Sequence, residues 1–277
     1  MFKWINDTGP GKRASDHQPP PPPQRKRDRI LEAVIAHEGI SLLFQPQIDP
    51  ATGDILGVEA LARWDGAETP QDLFSRAASA GLAERLTRLV QRKALRLAAT
   101  WEGPLKHLHV SINLLPEDLA RPGYDRWLLE EIATAGVDPT RITVEITESA
   151  LLSDSDKIAT RLARIRAAGV RVAVDDFGTG YASLAYLTSL PLDTLKIDRG
   201  LIADIVGGER DRIVVKAMIA LAKELDLKVV VEGVESTGQL ALLAEWGCDL
   251  YQGFLGAGPL NEQELTRFVA ASMAEAA

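Results

Sequence analysis

Asp175 and Asp176 stand side by side at the end of the apolar run Val170–Val174, just ahead of Gly178 and Gly180. Neighbouring side chains of an extended strand point to opposite faces, so these carboxylates can share a ligand only if the chain leaves the strand at that point. The glycines would permit such a turn. Further acids, Glu59, Glu145 with Glu148, and Glu232 with Glu235, fall toward the ends of other apolar runs, as do Asn113, Lys196 and Gln252. Seven carboxylates at one mouth repel strongly, since two of them about 4 Å apart cost roughly 4 kcal/mol at an effective dielectric of 20. Lys196 and Arg63 supply two positive charges, and the rest must come from cations. A donor set of Asp, Glu and Asn without His or Cys suits Mg2+ or Mn2+ better than zinc. Two such ions bridged by a carboxylate are the machinery for in-line attack of water at phosphorus. The tripeptide DFG within this stretch also occurs in the magnesium loop of protein kinases, but no HRD precedes it, which excludes that class.

The elements that must position these groups follow from periodicity. Eight short runs rich in Val, Ile and Leu, SLLFQPQID, ILGVEALARW, LHVSINLL, ITVEITES, RVAVDDF, TLKID, KVVVEGVE and LYQG, recur from Ser41 onward. From Trp64 onward the stretches between them, such as DKIATRLARIRAAG and DRIVVKAMIALAKELD, carry apolar residues at three- and four-residue spacing and read as amphipathic helices. Alternating strands and helices imply a mostly parallel sheet, and eight strands in about 240 residues predict an α/β (β/α)8 barrel. The link between the first two strands, PATGD, is too short for a parallel crossover. The reading is therefore a modified TIM-like barrel with an antiparallel first strand, whose polar strand ends gather on the face where barrel active sites lie.

Composition narrows the class. Of 277 residues 46% are hydrophobic, enough for a large core. No run reaches the roughly 18 residues of a membrane span and the N-terminus lacks the apolar centre of a signal peptide, so the expected location is cytoplasmic. Residues 1–30 hold seven Lys and Arg against three Asp, a net of +4, leaving −12 on the remainder of a chain at −8. That acidity disfavours nucleic acid polymers as partners. Residues 1–27, with QPPPPPQRKR at their end, read as a disordered proline-rich basic tail or linker whose partner, if it has one, is unknown. Residues 28–277 read as one domain. A tail this short has no room for a sensor or cyclase domain, so regulation is expected through the tail, assembly, or metal and substrate levels. Cys248 reads as a small core residue, and His17, His37, His107 and His109 lack zinc-ligand spacing and are read as structural.

The ordered motifs EALARW (Glu59–Trp64), QPQ, SIN, EITE, DDFGTGYASL, LKID, VEGVE and YQG together resemble the EAL-domain cyclic di-GMP phosphodiesterases over about residues 28–272. The resemblance implies metal-dependent hydrolysis of cyclic di-GMP to linear pGpG. It places two ions, Mg2+ or Mn2+, on Glu59, Asn113, Glu145, Asp175, Asp176 and Glu232, with Asp175 bridging. Catalytic roles fall to Glu59, Lys196 and Glu235. Lys196 would deprotonate or orient the attacking water, Glu235 and Gln252 would support ion-bound waters, and Glu148 would anchor the loop DFGTGY. Gln45, Leu61 and Arg63 would bind substrate, Arg63 through a phosphate oxygen. Such domains commonly pair as homodimers, with Tyr181, Leu184, Tyr186 and Leu187 as candidate contacts here. A non-catalytic cyclic di-GMP receptor is the alternative, although receptors typically lose a metal acid or the lysine and none is missing. The segment QGFLGAGPL departs from relatives in its small residues Gly256, Ala257 and Gly258.

Overall fold

In the computed structural model, which describes residues 27–147, 155–178 and 184–275, eight strands close into a barrel in chain order. They are β1 (Ser41–Ile48), β2 (Ile55–Arg63), β3 (His109–Leu114), β4 (Ile142–Thr147), β5 (Arg171–Phe177), β6 (Thr194–Ile197), β7 (Lys228–Glu232) and β8 (Leu250–Gln252). β1 pairs antiparallel with both β2 and β8, and every other neighbouring pair is parallel. The barrel with its reversed first strand is thus as the sequence implied. The short link works because Asp49 Oδ1 accepts from the N–H groups of Ala51 and Thr52 while Gly53, at φ +78°, closes the turn onto the Asp49 carbonyl.

Strand alternation sends one set of side chains outward and the other inward. Val110, Ile112, Val144, Ile146, Val172, Val174, Leu195, Val229 and Val231 are almost wholly buried within the apolar core. Against this sheet pack amphipathic helices, including Ala83–Thr100, which buries Leu86, Ala94 and Leu95, and Glu209–Glu224, which buries Val215, Ile219 and Ala222. Each fully buried Leu, Ile or Val contributes about 1.5–3 kcal/mol, so this layer between sheet and helices carries most of the fold's stability.

Two devices set the mouth. Ser236 caps the helix Thr237–Glu245 in a reciprocal box with Gln239, whose side-chain amide also donates to the Ile202 carbonyl, tying the segment after β7 to the segment after β6. The backbone of Val234 donates to the Gln252 carbonyl and accepts from Leu255, locking the exits of β7 and β8 together.

Candidate active site

The inward-facing positions hold the predicted acids. Glu59 lies mid-strand in β2 rather than at its end, but register brings it level with the others: Gln45 faces Glu59, Asn113 faces Glu145 and Glu232 faces Gln252. Asn113 Nδ2 donates to Glu59 Oε1 at 2.9 Å, and Gln252 Nε2 donates to Glu59 Oε2 at 2.8 Å and to Gln45 Oε1 at 3.1 Å. Both oxygens of Glu59 are therefore aimed by neutral amides.

Lys196 sits at the centre, 1% exposed, with Nζ 2.7 Å from Glu232 Oε1, 2.8 Å from Glu145 Oε2, 3.0 Å from Asp175 Oδ1 and 3.7 Å from Glu59 Oε2. Burial alone would pull the lysine pKa down. The carboxylates of Asp175, Glu145, Glu232 and Glu59 outweigh that and hold it well above the ordinary value. Burial, only partly offset by Lys196, pushes Glu145 upward and Glu232 up to about 7. One ammonium is too little charge for this ring. Asp175 Oδ1, although near Lys196, is buried with no hydrogen-bond partner, and ligand oxygens of Asp175, Asp176 and Glu232 lie within 4.8 Å of one another. An all-oxygen set in which four carboxylates share one ammonium, and Asp175 Oδ1 has an ion pair but no hydrogen bond, fits a hard divalent cation.

The two aspartates reach one side by a route the sequence did not show. β5 does not end at them; it continues to Phe177, and the ladder to β6 slips between Val174 and Phe177. Asp176 itself takes φ +55°, making a bulge residue that re-aims its carboxylate to the side Asp175 faces. Gly178, at φ +98°, only follows the bend. Burial and the neighbouring Asp175 charge raise the Asp176 pKa.

Other expected residues lie apart from this ring. The Arg63 guanidinium donates to the Ala62 carbonyl at 2.9 Å rather than to a carboxylate, so the counter-charge it was expected to share with Lys196 is not supplied through contact. Leu61 shares its half-buried rim. Glu235 is exposed, its N–H bonded to Gln239, outside the carboxylate ring. Glu148 and Tyr181 lie outside the described residues, as do the side chains of Leu184 and Tyr186. Leu187 is buried in the core, so it is no contact for a second copy. Of the small residues in QGFLGAGPL, Gly256 follows from packing, since a side chain there would begin 2.5 Å from Ile48 Cδ1; the Ala257 carbonyl accepts from Gln45. Phe254 in that loop, 72% exposed, was not singled out from sequence, where nothing separates it from a core phenylalanine.

Residues 27–259 match the EAL domain model. The chain belongs to the EAL family. It is 37% identical over 252 residues, 89% of this chain and 32% of the relative, to a Pseudomonas aeruginosa protein named cyclic di-GMP phosphodiesterase NbdA. It is 34% identical over 245 residues, 87% of this chain and 36% of the relative, to that organism's MucR, named a bifunctional diguanylate cyclase/cyclic di-GMP phosphodiesterase. The chain therefore spans about a third of the length of these curated relatives. A solved structure described as a PaMucR phosphodiesterase in complex with c-di-GMP superposes with a TM-score of 0.80 at 33% identity, covering 86% of this chain and 98% of that one. No described helix is long and apolar enough to cross a membrane.

Proposed function

We propose that this domain hydrolyses cyclic di-GMP to linear pGpG, and that Glu59, Asn113, Glu145, Asp175, Asp176 and Glu232 hold two Mg2+ or Mn2+ ions for that reaction. The observation that carries this reading is the ring of four carboxylates sharing the single ammonium of Lys196, with ligand oxygens of Asp175, Asp176 and Glu232 within 4.8 Å of one another. When bound, the ions would acidify the attacking water and offset charge developing at phosphorus. The chain's own residues do the rest. Lys196, held as an ammonium by its neighbours, orients that water and steadies negative charge; it is too poor a base to take the proton. The amides of Asn113 and Gln252 hold Glu59 in one orientation. Arg63, burial lowering its pKa against the pull of Glu59, meets a phosphate oxygen with its fork, and Gln45 and Leu61 border the same entrance. Phe254 offers a flat apolar face for a base at this rim. Glu235 and Gln252 would support waters bound to those ions, and Glu148 would anchor the loop DFGTGY.

The test is incubation of purified protein with cyclic di-GMP and Mg2+ or Mn2+, following pGpG by chromatography. Absence of turnover with either ion defeats the proposal, and tight binding without turnover would leave the receptor alternative. The same reading includes a cytoplasmic location, a proline-rich tail over residues 1–27 and a homodimer. For the homodimer, the exposed apolar side chains Val206, Ile213 and Val214, on and just before the helix Glu209–Glu224 after β6, are the supporting observation. Light scattering that finds only monomer would remove the last of these.

A further inference from the structure

Beneath the carboxylate ring the barrel is only partly filled by branched apolar side chains, Val230 and Leu250 below Glu232 and Gln252, where barrel interiors are usually packed with them. The inward positions below Glu59, Glu145, Asp175 and Lys196 are Gly57, Thr143, Ala173 and Thr194, with Ser111 on β3. They line a cavity of about 450 Å3 that opens at the opposite, N-terminal end of the parallel strands and reaches up to Glu145 and Lys196. A void of that size is within the range of small-ligand pockets.

Its walls are rich in donors without partners. The hydroxyl-bearing residues Ser111, Thr143 and Thr194 are each more than nine-tenths buried, and none makes a side-chain hydrogen bond to a described residue. Lining the cavity without a partner among the described residues, the three hydroxyls are free to bond to whatever fills it. At its lower end Arg171 and Lys228 enter from β5 and β7, and neither pairs with a carboxylate among the described residues. The Arg171 Nη1 instead lies 3.1 Å from His109 Nδ1. Burial and the charges of Arg171 and Lys228 drive the His109 pKa down to about 4, so a neutral ring lies against the guanidinium near neutral pH. Two acids stand at the rim, Asp49 and Asp249. Each already accepts from backbone, Asp49 from Ala51 and Thr52 and Asp249 from Val229.

We infer that this lower cavity is a second binding site, distinct from the carboxylate ring, for a phosphate group: Arg171 and Lys228 supply the charge and the hydroxyls of Ser111, Thr143 and Thr194 supply donors to its oxygens. The site needs neither the metals nor the reaction proposed above. The arginine fork suits two oxygens of a tetrahedral oxyanion, and the hydroxyls can donate to the others. The phosphate can be inorganic or the end of a phosphomonoester, since the recognised chemistry is the same.

The test uses the full chain in EDTA, so that the upper site is metal-free, at constant ionic strength set with chloride. Inorganic phosphate and guanosine monophosphate are titrated separately by calorimetry. Saturable phosphate binding is expected, weakened about tenfold or more by Arg171→Gln and by the pair Thr143→Val/Thr194→Val, and unchanged by Arg63→Gln at the upper rim. Binding of the inorganic ion alone identifies free phosphate as the ligand, and tighter binding of the nucleotide identifies a phosphomonoester; either upholds the site. No saturable heat with either probe, meaning that the cavity holds only water, overturns it. So does binding that Arg63→Gln abolishes and Arg171→Gln spares. Arg171→Lys, which keeps the charge, is the second variant should Arg171→Gln fail to fold, and unweakened phosphate binding by it and by the threonine pair would equally refute the assignment.

Discussion

The same eight strands build two unlike regions. Outward, Val144 and Ile146 pack into an apolar layer against helices; inward, Glu145 between them is buried against an ammonium and other acids. One residue of displacement along β4 separates a region that stabilises the fold from one that stores electrostatic stress. The lesson is that in this barrel stability and chemistry are divided by the period of the strand. The apolar layer can be strong enough for the lumen to hold charges that no stable core would select.

The sharpest way to break the comparison is to remove the lumen's one central cation. Lys196→Met should cut pGpG formation by about a thousandfold or more, as expected for loss of a group that orients the nucleophile. It should also lower metal-free stability by about 3–5 kcal/mol, because Glu145 is left buried without its counter-charge. Urea unfolding with and without Mn2+ checks this, and added ion should recover stability without recovering turnover.

In the apolar layer the expected result is the reverse. Leu162, fully buried in the helix Ser155–Ala167, should cost about 2–5 kcal/mol when changed to Ala, while activity per folded molecule stays near that of the parent. Equal losses of activity in both variants would show that the regions are not separable.

Acidity gives a third comparison. Glu232 has a folded pKa of about 7, above the 4.5 of a free carboxyl, so the folded state binds the extra proton. Its stabilising effect is complete below pH 4.5 and is lost as pH rises through about 7; Glu145, also raised, adds with the same sign. Metal-free protein should therefore lose on the order of 3 kcal/mol over that interval. Glu232→Gln should flatten the profile, and a stability that rises from pH 5 to 7 in EDTA would contradict this electrostatic account.

A backbone change should have a smaller effect. Gly233, next to Glu232, sits at φ +70°, and a Cβ there would begin 2.2 Å from Arg199 Cβ. Gly233→Ala should cost about 1–3 kcal/mol and, by displacing Glu232, reduce turnover by roughly tenfold. Thermal unfolding and initial rates measured on the same preparation decide it. Smallest of all is Cys248, whose thiol burial pushes up to about 12. Alkylation in the native protein near neutral pH should be far slower than after unfolding, and Cys248→Ala should leave activity within about twofold.

Much of this was legible in the chain itself. The eight apolar runs matched the strands to within three residues because the outward positions alternate strictly, and PATGD was short enough to force β1 antiparallel. The residue types of the site were legible too, since acids, amides and one lysine at matching places in successive strands have no packing reason to be there. Tertiary structure alone decided how they meet. Only the ladder slip at Asp176 shows that a bulge, not a strand end, turns two adjacent aspartates to one side, and only barrel closure sets Lys196 among four carboxylates from four other strands. The lower cavity was equally hidden. His109 and Arg171 begin strands 62 residues apart, and their encounter depends on strand register, which a local pattern of residues does not encode.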